Sequence, residues 1–192
     1  MNLAHRYLCA STGWRTCVGT AILPWVLDGV DLGSKVLEVG PGYGAATHGL
    51  RERVGHLTCV EVDRALATRL AGRMAGRNVT VLCEDATRMS LADGACDGAV
   101  SVAMLHHVRS AALQDRLLTE VARVLRPGGA FVGFDAVAGP MFRLLHAFDT
   151  MVVIDPGTFA MRLAKAGFTD IAIDVRNRGF RFRSRRAVSA RS

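Results

Sequence analysis

Residues 36–44 read VLEVGPGYG. A short apolar strand runs into an acid, Glu38, and then into glycines at alternate positions, Gly40, Gly42 and Gly44, with Pro41 between the first two. The segment that follows, AATHGLRERVG, reads as the start of a helix. Strand, glycine turn and helix together bring bare backbone N–H groups against a nucleotide-like ligand. A Cβ in the turn would block both the sharp reversal and the close approach. Working outward, the next apolar run is LTCVEVD at 57–63. It carries Glu61 and Val62 about 20 residues past the glycines, the separation expected of a ribose-binding carboxylate.

The same alternation continues along the chain. Residues 1–30 have apolar residues at helical spacing, with Pro24 as a break or kink. VLEV is a first strand, 45–53 a helix and LTCVEV a second strand. From Arg64 an amphipathic helix carries Leu66, Leu70 and Met74 and ends at Gly76. NVTVLCED is a third strand with Asp85 at its end. GAVSVAML is a fourth, closing on His106 and His107. AALQDRLLTEVARVL is a helix stopped by Arg126-Pro127-Gly128-Gly129, and AFVGFDA is a fifth strand. Residues 138–154 are apolar and read as helical. Asp155-Pro156 reads as a cap and first turn for FAMRLAKA, which ends at Gly167. TDIAIDV and GFRFR then form a hairpin through Asn177, Arg178 and Gly179.

Strands alternating with helices imply an α/β fold. The expected form is a Rossmann-like, doubly wound, mostly parallel seven-stranded sheet with helices on both faces and an antiparallel hairpin at the end. Ligands of such sheets sit at the carboxyl ends of the strands, near the point where strand order reverses. Gly40, Glu61, Asp85 and His106 all fall at or just past such ends. No linker or repeat divides the 192 residues, so one domain is expected. It comprises an N-terminal helical cap (1–30), a ligand-binding core (35–135) and a cover on the substrate side (138–165).

Composition narrows the function further. The five cysteines include no C-x-x-C pair, which points to reduced, buried thiols in a cytoplasmic protein. No stretch is apolar enough to span a membrane, and His5, Arg6 and Arg15 interrupt the N-terminus as a signal peptide. The net charge of +7 invites nucleic acid as a partner, but only Lys35 and Lys165 are lysines, and the arginines are dispersed. The exception is RNRGFRFRSRR, whose period of two fits a half-buried strand with solvated arginines or a phosphate-contacting strip.

The glycine turn alone also fits a nicotinamide dehydrogenase. The ordered set that separates the two is Glu38 before the glycines, Glu-Asp-Ala at 84–86, DGAVSVAMLHHV and LRPGG. This set resembles the class I S-adenosylmethionine-dependent methyltransferases, in particular the small-molecule group with LHHV after the fourth strand. The resemblance covers about residues 35–135 and implies S-adenosyl-L-methionine as cofactor.

The same resemblance distributes the roles. Gly40, Pro41, Gly42 and Gly44 would pass the backbone close to the methionine part. Glu38 would face its amino group, and Glu61 would accept both ribose hydroxyls, next to Val62. Asp63 ranks below Glu61 because it lies past the strand end. Asp85 would accept from the adenine amino group, the Ala86 N–H would meet a ring nitrogen, and Val102 would add backbone contact. Glu61 as a loop carboxylate and Asp85 as a helix cap are the milder readings.

Methyl transfer is an in-line displacement from sulfur, so alignment of the groups dominates. Where the nucleophile carries a proton, a base helps. His106 is the catalytic candidate on the ground of imidazole chemistry, or else a loop anchor; His107 and Asp135 follow. A His-His metal site lacks a third ligand at useful spacing, so no metal is expected.

Tyr7, Trp14 and Trp25, with Met141, Phe142, Leu144, Leu145, Phe148 and Met151, build either core or an apolar acceptor pocket. The expected activity is methylation of a small apolar or aromatic metabolite. Two alternatives stand beside it. One is an RNA methyltransferase: VEVD resembles the ribosomal RNA adenine dimethylases, although SVAMLHHV lacks their Asn-Pro-Pro-Tyr-like motif. The other is a non-catalytic S-adenosylmethionine-binding module.

Overall fold

A computed structural model describes residues 2–137, 139, 151–176 and 179–188. Its parallel strands are β1 (Lys35–Val39), β2 (His56–Val60), β3 (Val79–Leu82), β4 (Cys96–Val102) and β5 (Leu125–Ala136). β6 (Phe168–Arg176) and β7 (Gly179–Arg186) run antiparallel at the far edge. All seven join in one sheet of order β3-β2-β1-β4-β5-β7-β6, so the strand order reverses between β1 and β4. The expected wound α/β sheet with its terminal hairpin is what the chain forms. Asn177 and Arg178 of the hairpin connection lie outside the described residues.

Alternation along the strands sends side chains into two cores, one on each face. Leu37, Val39, Phe131, Phe180 and Phe182 pack against α6 (Ala111–Val124) and α7 (Pro156–Lys165) through Leu117, Val121, Phe159 and Leu163. Val36, Cys59, Val100 and Val132 point the other way. They meet Leu50 of α4 (Thr47–Arg51), Leu70 and Met74 of α5 (Arg64–Met74), and the N-terminal segment. Local chemistry sets the helix starts. Asp63, Ser110 and Asp155 each accept from backbone N–H groups in the first turn of α5, α6 and α7.

The N-terminal segment breaks at a different place from the expected one. It comprises α1 (Leu3–Ala10), α2 (Thr12–Cys17), a π-helical stretch over Val18–Ile22, and α3 (Leu23–Leu27). The break falls at Ser11, whose side chain caps α2. Pro24 sits in the first turn of α3. The wider turn ahead of it, closed by Leu23 N–H donating to Val18 O, lets the chain pass the proline without ending the helix.

Two further boundaries differ from the sequence reading. Arg126–Gly129 do not separate α6 from the fifth strand as a loop. They form an irregular start to β5, with Leu125 paired to Cys96 and Ala130 to Gly98. Residues 151–155 are not helical, and residues 138 and 140–150 of the expected helix lie outside the described residues.

Candidate cofactor and acceptor site

Main-chain hydrogen bonds past the strand ends tie neighbouring tips together. Gly40 N–H donates to Val60 O at 2.9 Å, Glu61 N–H to Leu82 O at 3.0 Å, and Ala103 N–H to Phe134 O at 2.8 Å. Above these tips lies a cavity of about 1550 Å³. Gly40, Pro41, Gly42, Glu38, Glu61, Val62, Asp85, Ala86, Val102 and His106, all singled out from sequence, contribute to its wall. Gly44 is the exception, standing behind the turn.

The three glycines serve two different purposes. All have positive φ, which side chains adopt only at a cost. A Cβ on Gly40 would lie 2.1 Å from Met104 Cγ, and one on Gly44 would lie 2.7 Å from Leu70 Cδ1. Those two glycines admit neighbouring parts of the protein. A Cβ on Gly42 would meet nothing within 4 Å, so that bare backbone faces the cavity.

Glu61, only 6 % exposed, is held in place by Gly42 N–H at its Oε2 and Asp63 N–H at its Oε1, both at 2.9 Å. Each oxygen keeps acceptor capacity, the property a vicinal diol requires. Asp63 is occupied otherwise: its Oδ1 accepts from Ala65 and Leu66 N–H. Asp85 stands exposed at the rim, and its Oδ1 accepts from Thr87 N–H at 2.8 Å within a turn. No helix follows it there, so the cap reading fails. The open backbone at Gly42, the fixed carboxylate and the rim acid suit a cofactor with a ribose and an adenine-like ring.

Glu38 lies beneath the turn and is 3 % exposed. Its Oε2 accepts from Thr47 Oγ1 at 2.7 Å and Cys59 Sγ at 3.3 Å. Burial pushes this carboxyl up to about 7; those two bonds oppose the rise, and the negative charge of Glu61 adds a little to it. Desolvation, with Glu38 beside it, raises the Cys59 thiol far above the usual range, so Cys59 is an inert donor.

On the opposite wall, β4 is followed by Ala103, a non-glycine residue with φ of 51°. This strained turn swings the chain into a 3-10 helix at Leu105–His107. His106 is 2 % exposed and Asp135 fully buried; His106 Nδ1 and Asp135 Oδ1 are 2.6 Å apart. His107 lies against the His106 ring at 4.1 Å between centroids, and His5 of α1 stacks on His107 at 5.0 Å. Gln114 fastens the loop by donating to Leu105 O and Val152 O, and Val152 N–H donates to His106 O. The sequence pointed to His106, His107 and Asp135 separately. The pairing, and the arrival of His5, depend on strands β4 and β5 being neighbours.

Of the N-terminal aromatics, Trp14 lines this cavity. Tyr7 is 81 % exposed. Trp25 packs on Phe134 and under Arg181 and Arg176, away from the cavity. Met141, Phe142, Leu144, Leu145 and Phe148 lie outside the described residues.

The RNRGFRFRSRR segment forms the half-buried strand expected of its period. Phe180 and Phe182 are fully buried, and on the opposite face Arg185 is exposed and Arg183 half-buried, while Arg181 is buried. Arg181 Nη1 donates to Trp25 O at 2.6 Å, Arg183 to Asp28 O, Arg185 to Gly128 O, and Arg186 to Arg123 O and Leu125 O. These side chains satisfy protein carbonyls and splint the N-terminal segment and β5 to the last strand. No helix among the described residues is long and apolar enough to cross a membrane, and no group of three metal-ligating side chains occurs among them.

Comparison with known proteins fits this geometry. Residues 37–133, half of the chain, match the family model described as "Methyltransferase domain". The chain is 32 % identical over 143 residues to the ribosomal RNA small subunit methyltransferase A of Aromatoleum aromaticum, covering 66 % of this chain and 52 % of that protein. It thus spans about half the length of the curated relatives it matches. An S-adenosylmethionine-dependent methyltransferase from Aquifex aeolicus superposes with a TM-score of 0.75 at 17 % identity, over 96 % of this chain and 98 % of that one. A Haemonchus contortus phosphoethanolamine N-methyltransferase 2 in complex with S-adenosyl-L-methionine superposes with a TM-score of 0.71 at 14 % identity, over 88 % and 52 %. Sheet order, glycine turn and family match agree: the chain belongs to the methyltransferase-domain family, and its fold is the one seen in S-adenosylmethionine-dependent methyltransferases.

Proposed function

We propose that the chain methylates a small acceptor with an apolar or aromatic body, seated beside the cofactor. The observation that carries this reading is the size and lining of the cavity. At about 1550 Å³ it exceeds the usual range for a single small ligand, about 300–1,000 Å³. Its inner wall, with Trp14, Val18, Met104, Leu113 and Phe134, is apolar. The cofactor supplies a methyl carbon on a positively charged sulfur, already a good leaving group. The chain's own residues hold and orient. Gly40, Pro41 and Gly42 offer backbone to the methionine part, with Gly44 letting the turn close on α5. Glu38 faces the amino group, Glu61 and Val62 take the ribose, and Asp85, Ala86 and Val102 take the adenine.

His106 is the proton acceptor for the incoming nucleophile in this scheme. With Asp135 ionised, Nδ1 donates to the carboxylate and the basic electron pair is placed on Nε2. The Asp135 contact selects this tautomer. A buried acid behind an imidazole fixes its orientation as well as its tautomer.

The names of the ribosomal RNA relatives favour a second reading, with an RNA acceptor. The segment after β4 is SVAMLHHV, without the motif those enzymes use to grip a base amino group, and the β7 arginines serve the protein itself. The deciding experiment is incubation with radiolabelled S-adenosylmethionine against metabolite extract and, separately, cellular RNA. Label in the small-molecule fraction is expected. Label in RNA alone would replace the proposed acceptor. Cofactor binding with no label anywhere would make the chain a binding module. In a thermal-shift assay the cofactor and its demethylated product should both raise the midpoint by stabilising the folded state, with a smaller rise in Glu61→Ala and Asp85→Ala. An undiminished rise in both variants would overturn these two roles.

A further inference from the structure

A second cavity of about 400 Å³ is bounded chiefly by Arg6, Arg15, Arg69, Arg73 and Tyr43, and shares Cys9, Tyr43 and Ala45 with the large one. The four guanidinium groups come from α1, α2 and α5. Arg73 Nη2 donates to Tyr43 O at 2.6 Å, and Arg6 Nε reaches Tyr43 Oη at 3.5 Å, so the cluster rests against the glycine turn. No carboxylate lines this cavity; the acid that acts on the cluster is Asp63, which adds slightly, from a distance, to the rise that the Tyr43 hydrogen bond gives Arg6. Desolvation holds Arg73 below the usual guanidinium range, and the charges of Arg15 and Arg69 add to the effect. Desolvation lowers His48 nearby, with Arg73, Arg51, Arg15 and Arg77 pushing the same way. Concentrated, unbalanced charge of this kind opposes folding and is relieved by a bound anion.

We propose that this cleft binds the phosphate group of the methyl acceptor, making that acceptor a phosphorylated small molecule whose apolar part enters the large cavity. The inference rests on the methyl-transfer reading above. Guanidinium forks match phosphate oxygens two at a time, and converging arginines supply several charge-assisted bonds to one group. An RNA phosphodiester is the other source of the same chemistry. A strand of RNA needs a basic track along its backbone; this cleft instead adjoins the apolar-walled cavity, with which it shares Cys9, Tyr43 and Ala45.

The test is calorimetric titration of the purified chain with inorganic pyrophosphate, with S-adenosylhomocysteine, and with a single-stranded RNA oligonucleotide. Arg15→Gln/Arg69→Gln is compared with the native chain, leaving Arg73 in place because it holds Tyr43. Pyrophosphate should bind, and the double variant should bind it at least about tenfold more weakly, the effect of losing charge-assisted hydrogen bonds. S-adenosylhomocysteine should bind both proteins equally. Single Arg69→Gln should show an intermediate loss, which separates the effect from misfolding.

No pyrophosphate binding, or equal binding in both proteins, overturns the proposal. So does loss of S-adenosylhomocysteine binding in the double variant, since the arginines would then hold the cofactor's own carboxylate. RNA binding that exceeds pyrophosphate binding, falls steeply with salt and disappears in the variant overturns the small-acceptor source. Failure of the native chain to bind S-adenosylhomocysteine would instead count against the methyl-transfer reading itself.

Discussion

In the proposed site, Glu38 would couple folding to cofactor binding through one proton. Its carboxyl is raised from 4.5 to about 7 by burial. The folded state therefore holds the proton more tightly than the unfolded chain. The stability this contributes is complete below about pH 4.5 and is lost as pH rises through 7, a loss on the order of 3 kcal/mol. The ligand-free midpoint should fall between pH 5 and 7.5 and stay flatter in Glu38→Gln, as followed by circular dichroism. A cation beside Glu38 favours its ionised form, so affinity for S-adenosylmethionine should rise with pH across the same window. Glu38→Gln should remove that rise, which calorimetry at several pH values would measure. At His106 the expectation is kinetic. His106→Ala should lower kcat about 10²–10⁴-fold, the usual worth of a positioned base. Asp135→Asn should reduce kcat and alter its pH profile, since it removes the acid that sets the tautomer; an unchanged profile would leave Asp135 a packing residue.

Among the elements, the glycine turn separates fold from ligand. Gly40→Ala drives a methyl group into Met104 at a φ of 65° and should cost about 1–3 kcal/mol in urea denaturation. Gly42→Ala meets no neighbour, so its cost is confined to backbone strain at a φ of 54°. Its larger effect should be on cofactor affinity, because the new Cβ projects into the cavity. The last strand behaves differently. Arg181 joins β7 to α3 and β6: it donates to Trp25 O, lies 5.4 Å from the Trp25 ring, and contacts Asp174 Oδ2 at 3.2 Å as an ion pair rather than a directed hydrogen bond. Arg181→Ala should destabilise by about 2 kcal/mol. Arg183→Gln/Arg185→Gln should leave retention on an RNA column unchanged, which a salt-gradient elution would check.

For the molecule as a whole, one sheet faces two cores and offers one rim to ligands. Phe182 bridges the far edge of the first core, in edge contact with Phe131 at 4.9 Å and Phe159 at 5.2 Å. Phe182→Ala should cost about 3–5 kcal/mol without touching the rim, so cofactor affinity of the folded fraction should persist. The alternating strand and helix pattern, the glycine turn and the acids at 38, 61 and 85 were legible in the sequence because each depends on local periodicity or fixed spacing. The helical stop at Ser11 was not, although Ser11-Thr12-Gly13 carries a cap residue and a glycine, because the apolar spacing resumes on either side of it, and the π-helical passage of Pro24 has no composition of its own. Nor did the alternation of Phe180 and Phe182 with arginines reveal that those arginines donate to backbone carbonyls of α3, β5 and the loop after α3. The order of residues by itself determined the wound α/β sheet and the glycine-turn rim, because periodicity and turn chemistry act over a few neighbours. Only the tertiary structure decided that Asp135 stands behind His106, that His5 stacks on His107, and that arginines from three helices share a cleft. Those meetings depend on which strands become neighbours and on where the first helices fold back.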